Sequence, residues 1–301
     1  MPILYKRSHF IGLKSECPYI TIYDDEDVKE ITEKIIHTDE LAASIGDFKF
    51  LPIFPDLKML CILCGEYFKE GEINLYRHKQ LEALCFENTY FSKKNDTEGI
   101  IDLNEFPNIR ALFTWEYNVM NLPYAKTLQT LGIDTMNTDL TYLSQLKNLD
   151  SLSVGGKRLR SITGIEDMNL QCICVGSAKK LVDISSLEAS KDTLNFLIID
   201  NCPNVKDFSV LRKLKKLESL SICGYKGTLD SIGFIDELPN LKFFVTDYNV
   251  LDGNIKPLLR LSYASILQDR RHYNLKDDDL KREQNVLRGN ENIPIWRRIN
   301  L

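Results

Sequence analysis

The chain has 301 residues, 44% of them hydrophobic and 27% charged, which is ordinary globular usage with ample material for a core. No apolar run approaches the ~20 residues needed to cross a bilayer, and the first ten residues lack the charged start and long apolar stretch of a signal peptide, so the expectation is a soluble, cytoplasmic protein. A formal net charge of −5 argues against nucleic acid as the general partner, and the eight cysteines read as reduced side chains in a chain with no export signal.

Taken in order, residues 1–44 stand apart from the rest of the chain. Tyr19-Ile-Thr-Ile-Tyr23 alternates as a strand does, and Asp27-Val-Lys-Glu30 is a capping-box signal opening a helix with Val28, Ile31 and Ile35 on one face. They read as an N-terminal cap. Ile45-x-x-Phe48-x-Phe50 is an expected first, irregular strand. From there one spacing recurs, clearest in Leu194-Asn-Phe-Leu197-Ile-Ile199-Asp-Asn-Cys202. It returns at Leu57/Leu60/Ile62, Leu81/Leu84/Phe86, Ile109/Leu112/Thr114, Leu128/Leu131/Ile133, Leu149/Leu152/Val154, Leu170/Ile173/Val175, Leu217/Leu220/Ile222 and Leu241/Phe244/Thr246, with starts 24, 28, 19, 21, 21, 24, 23 and 24 residues apart. The polar stretch Ser92–Gly99 is an expected surface loop. Return segments repeat too, at Leu140/Leu143/Leu146, Ile162/Ile165/Met168, Phe208/Leu211/Leu214 and Ile232/Ile235/Leu238. Their three-residue spacing suits a short 3₁₀ or helical turn.

The pattern L-x-x-L-x-L-x-x-N/C resembles that of leucine-rich repeat proteins, and the return segments are similar to those of the short bacterial, internalin-like class. The resemblance implies an α/β solenoid over 45–269, with a curved parallel sheet on the concave side and caps at 1–44 and 270–301. Arg270-Arg-His-Tyr-Asn-Leu-Lys276 resembles the basic H-Y-N close of a set of bacterial repeat proteins. Asp279 then caps an expected helix through Leu280, Val286 and Leu287, with Trp296 and Ile299 covering the last repeat. Residues 270–301 carry eight Lys/Arg and five Asp/Glu, a net of +3 against −5 overall, which leaves −8 on the rest. The ninth repeat position departs from the family: only Cys202 and Asn249 conform, against residues such as Met136, Lys157 and Ala178. Unmade hydrogen bonds at a buried turn are costly, so irregular turns or register shifts are expected.

Side chains alternate across a strand, so positions 3, 5 and 7 of each repeat point away from the core. These columns contain no basic residue, but they hold the aromatics Phe113, Trp115, Phe196, Phe243 and Tyr263 and the carboxylates Glu87, Asp134, Asp200 and Asp247, with Glu116 alongside. Exposed aromatics in an acidic surround suit a basic protein partner. Four histidines share no metal or nucleophile spacing, no Gly-rich phosphate loop follows a strand, and Cys61-x-x-Cys64 has no second C-x-x-C. The sequence therefore points to a non-catalytic protein-binding scaffold without cofactor or metal, such as an immunity protein occluding a basic bacterial toxin. An adaptor subunit of a larger cytoplasmic complex is the alternative.

Overall fold

The computed structural model describes residues 3–4, 20–22, 29–31, 36–43, 48–62, 74–86, 101–115, 119–224 and 227–284. The chain divides into two compact units, Met1–Asp134 and Thr135–Leu301. In the first, β1 (Ile3–Leu4) pairs antiparallel with β2 (Ile20–Ile22), and β3 (Glu40–Ala43), β4 (Met59–Ile62), β5 (Ala83–Phe86), β7 (Ala111–Trp115) and β9 (Thr130–Asp134) follow in parallel. A separate parallel pair joins β6 (Ile101–Asp102) and β8 (Val119–Met120).

Register follows the repeat. Leu41, Leu60, Leu84, Leu112 and Leu131 stand side by side on successive strands, each fully buried. Every such leucine stabilises its unit by about 1.5–3 kcal/mol, and a slip by one residue would turn the whole row to the other face.

One expectation fails here. Phe48–Phe50 is not a strand; Phe48–Ile53 forms a 3₁₀ turn, while Ile45 lies outside the described residues. The strand of that repeat is β3, ahead of it. Leu51, Phe54 and Leu57, all buried, have the three-residue spacing of a return segment, and the Phe54 amide donates to Leu51 O.

The second unit is a parallel sheet of β10 (Ser151–Gly155), β11 (Cys172–Gly176), β12 (Phe196–Asp200), β13 (Ser219–Cys223), β15 (Phe243–Thr246) and β17 (Tyr263–Ile266). A second parallel pair joins β14 (Thr228–Leu229) and β16 (Asn249–Val250). Leu152, Ile173, Leu197, Leu220, Phe244 and Ala264 align in one buried row. Three of the expected return segments contain 3₁₀ turns, at Thr141–Leu143, Ser209–Lys213 and Gly233–Glu237; the one at Ile162–Met168 is made of hydrogen-bonded turns.

A short polar side chain opens these segments repeat after repeat. Asp139, Asp183 and Asp207 accept the amides of Thr141, Ser185 and Ser209, and Ser161 and Ser231 accept those of Thr163 and Gly233. Each satisfies a donor that a turn start leaves orphaned.

The turns after the strands answer the ninth-position question. Gly156, Ser177, Asn201 and Gly224, one position earlier, adopt positive φ. The amides of Ser177 and Asn201 donate to the carbonyls of Asp200 and Cys223 on the next strand. Backbone pairing therefore replaces the side-chain ladder, and Met136 and Lys157 point outward. Cys202 is buried as expected, its Sγ 3.3 Å from Asp200 O.

His272, Tyr273 and Asn274 brace the last repeat. His272 Nε2 donates to Val250 O, Tyr273 Oη accepts the Val250 amide, and Asn274 Oδ1 accepts the Ile255 amide. Helix α1 (Asp277–Gln284) starts two residues before the expected Asp279, which instead accepts the Lys276 amide. Leu280 is buried. Asp277 Oδ1 accepts both Ser265 Oγ and the Ile266 amide, each at 2.9 Å. Val286, Leu287, Trp296 and Ile299 lie outside the described residues.

Candidate functional site

The inner face, defined by positions 3, 5 and 7, differs between the units. In the first, positions 3 and 5 of β3, β4 and β5 are all buried. Ala42, Met59, Cys61, Ala83, Cys85 and Ala111 form a second buried cluster on that face, and Phe113, expected to be exposed, is half-buried against it. Cys61 and Cys85 are direct neighbours in register, buried and without a disulfide. Asp134 ends β9 half-buried. Trp115 belongs to β7 and pairs with Asp134, but its side chain, with Glu87, Glu116 and the Ser92–Gly99 loop, lies outside the described residues.

The second unit brings five of the expected residues onto one open face. Phe196, Phe243 and Tyr263 share position 3 of β12, β15 and β17, and all three are half-buried. Phe243 and Tyr263 are direct neighbours, whereas Ser219 separates Phe196 from Phe243. At position 7, Asp200 is exposed and Asp247 half-buried, on either side of Cys223. Asp247 Oδ1 accepts the Gly224 amide at 2.8 Å. Burial raises the Asp200 pKa, and the Asp247 charge adds to the rise: the two carboxylates feel one another, and none of the described residues sets a cation between them.

Small side chains floor the rest. Ser151, Ser153 and Gly155 on β10 lie beside Cys172, Cys174 and Gly176 on β11. A side chain added at Gly176 would meet nothing within 4 Å, so this part of the face is open to close approach. Burial pushes the Cys172 thiol up to about 11 and also raises Cys174 and Cys223, leaving these thiols protonated and poor nucleophiles at neutral pH. The arrangement offers aromatic surface, hydroxyls and two carboxylates.

No family model matches the sequence and no curated protein matches it. Solved structures do match. A leucine-rich repeat protein of Leptospira interrogans superposes with a TM-score of 0.51 at 17% identity, over 76% of this chain and 61% of its own. A TLR13–ssRNA13 complex gives 0.50 at 16% identity, over 84% of this chain and 43% of its own. The fold is that of the leucine-rich repeat proteins. An internalin C2 of Listeria monocytogenes is also similar, with a TM-score of 0.47 at 18% identity over 64% of this chain and 84% of its own. The chain thus spans less than two thirds of the Leptospira repeat protein's length, and at these identities the likeness is one of fold. Among the described residues no helix is long and apolar enough to cross a membrane.

Sequence reasoning placed the columns of this leucine-rich repeat correctly but not their coverage. It also passed over Ser219, at position 3 of β13. Its neighbours Phe196 and Phe243 were the available signal.

Proposed function

We propose that the chain is a non-catalytic, protein-binding leucine-rich repeat scaffold that engages a basic partner through the inner face of its second unit. The carrying observation is the contrast between faces. Positions 3 and 5 of β3, β4 and β5 are all buried, whereas in the second unit Phe196, Phe243, Tyr263, Asp200 and Asp247 are partly or fully accessible, beside the buried Ser219, Val245 and Ser265. Accessible aromatics are the usual anchors of an interface, and a face with carboxylates and no base steers and selects cationic partners. A cytoplasmic setting suits Cys172, Cys174 and Cys223, which are partly accessible and not in disulfides. An RNA partner of the kind present in the TLR13–ssRNA13 complex fits poorly with this acidic face. One form of the role is an inhibitor or immunity protein that occludes a basic bacterial toxin.

The test is capture from native lysate with the wild type and with a Phe196→Ala, Asp200→Arg, Phe243→Ala variant whose circular dichroism matches the wild type. A basic protein retained by the wild type and lost by the variant is the expected result. The same proteins on both would place binding elsewhere. If the retained protein is toxic, coexpression with the wild type should protect cells and coexpression with the variant should not.

A further inference from the structure

Three strands of the second unit form a trough. Residues 196, 198 and 200 of β12 and residues 243, 245 and 247 on and after β15 make its two ridges, and Ser219, Ser221 and Cys223 of β13 make its floor. The ridges stand about 9.6 Å apart, twice the spacing of neighbouring strands, and the trough runs about 13 Å along them. Its walls change character along that length. Phe196 faces Phe243 across Ser219 at one end, Ile198 faces Val245 across Ser221 in the middle, and Asp200 faces Asp247 across Cys223 at the other.

Ser219 is only 7% exposed. It lies on the inner face, in register between Phe196 and Phe243. Ser221 and Cys223 are 3.5 Å apart, Oγ to Sγ, and the Gly224 amide anchors Asp247 beside them.

We infer that this trough is a lysine-binding groove: it takes a lysine side chain of a partner protein with the ammonium between Asp200 and Asp247, the methylene stem over Ser221, and the partner backbone reaching the Ser219 hydroxyl between Phe196 and Phe243. The two carboxylates flank the floor strand from opposite sides. They suit a compact ammonium with three rotatable donors better than the planar fork of arginine, which seeks two acceptors on one carboxylate. In the middle of the trough Val245 is itself buried, and the partly accessible Ile198 is the apolar surface for the stem, which buries its carbons while its charge stays at the polar end. The assignment rests on the inner face of the second unit being the binding surface.

The test is an amide-resolved NMR titration of the full chain with Nα-acetyl-lysine methylamide, following Cys223 and Gly224. Saturable shifts at these amides are expected. Affinity should fall about tenfold with the isosteric Asp200→Asn and Asp247→Asn variants and with Nε-acetylated probe, and Ser219→Ala should weaken binding without altering the pH dependence. No saturable shift, equal binding of the acetylated probe, or tighter binding of the arginine analogue would overturn the assignment. So would a concentration-dependent dimer that Asp200→Asn dissociates, because a second copy would then fill the trough. Partner capture lost in the Phe196/Asp200/Phe243 variant but no response to the lysine probe would remove the lysine groove and leave the binding face standing.

Discussion

Individual residues set local limits that the repeat cannot relax. Gly164 has a φ of 115°, and a Cβ there would lie 2.3 Å from the carbonyl of Leu140. Gly164→Ala therefore combines left-handed strain with a backbone clash. The expected loss exceeds about 2 kcal/mol, read as a lowered urea midpoint. His78 is a different kind of limit. It is 5% exposed and occupies the return-segment place that Phe54 and Phe106 fill in neighbouring repeats, each donating its amide to the residue three back. Burial lowers its pKa, so the folded state binds protons less readily than the unfolded chain. Stability of the first unit should fall as pH drops below about 6.5, the unfolded value. His78→Leu should remove that dependence and raise stability at pH 5.5, measured by denaturant unfolding at both pH values. Nothing in the periodicity marked this position as polar and buried; a histidine in an apolar column was the only sign.

At the scale of elements, what was legible in the sequence was whatever recurs. The long-sheet strands from Met59 to Thr246 followed from the leucine spacing because a period-2 strand and a 3-residue turn leave distinct traces, whereas the short pairs β6/β8 and β14/β16 did not. β3 escaped because Thr38, at the place of the first leucine, is buried through a side-chain bond to Glu40 O, and Ala43 stands at the sixth. The aromatic run at Phe48 imitated the missing strand while belonging to the turn. The polar caps were equally regular yet hidden, since a ladder of Asp and Ser reads as ordinary loop composition. Its chemistry is testable. The hydroxyl and amide of Thr141 hold the Asp139 carboxyl below its ordinary range, and the Ser185 and Ser209 amides do the same for Asp183 and Asp207. Depressed carboxyls stabilise the fold above their unfolded pKa and lose that contribution as pH falls through their folded values. The second unit should therefore lose stability below about pH 4. A triple Asp→Asn variant, which keeps the acceptors, should flatten that acid limb in denaturant melts recorded from pH 7 to pH 2.5. Asp183→Ala, which removes both the Ser185 cap and the Ser161 bond, should cost about 1 kcal/mol.

For the molecule as a whole, one repeat pattern yields an inner face that is buried over β3 to β5 and partly accessible over β12 to β17. Side-chain direction follows from strand alternation and could be read from the sequence. Coverage could not, because Met59 and Phe196 obey the same rule, yet Met59 is buried and Phe196 is partly accessible. The described end of the second unit shows how the fold manages its last edge. A terminal strand presents unpaired amides and carbonyls to any other chain that can pair with it. At β17 the carboxylate of Asp277 occupies the Ile266 amide and the Ser265 hydroxyl together, and helix α1 follows from the same residue. A negative charge thus sits where another strand would have to dock, and its expected effect is to disfavour pairing there. Asp277→Ala should leave the melting profile of a dilute sample nearly unchanged, yet produce concentration-dependent species in sedimentation velocity. A chain that grows by stacking like units needs such a stop, and here Asp277 and the helix that begins at it stand at that edge.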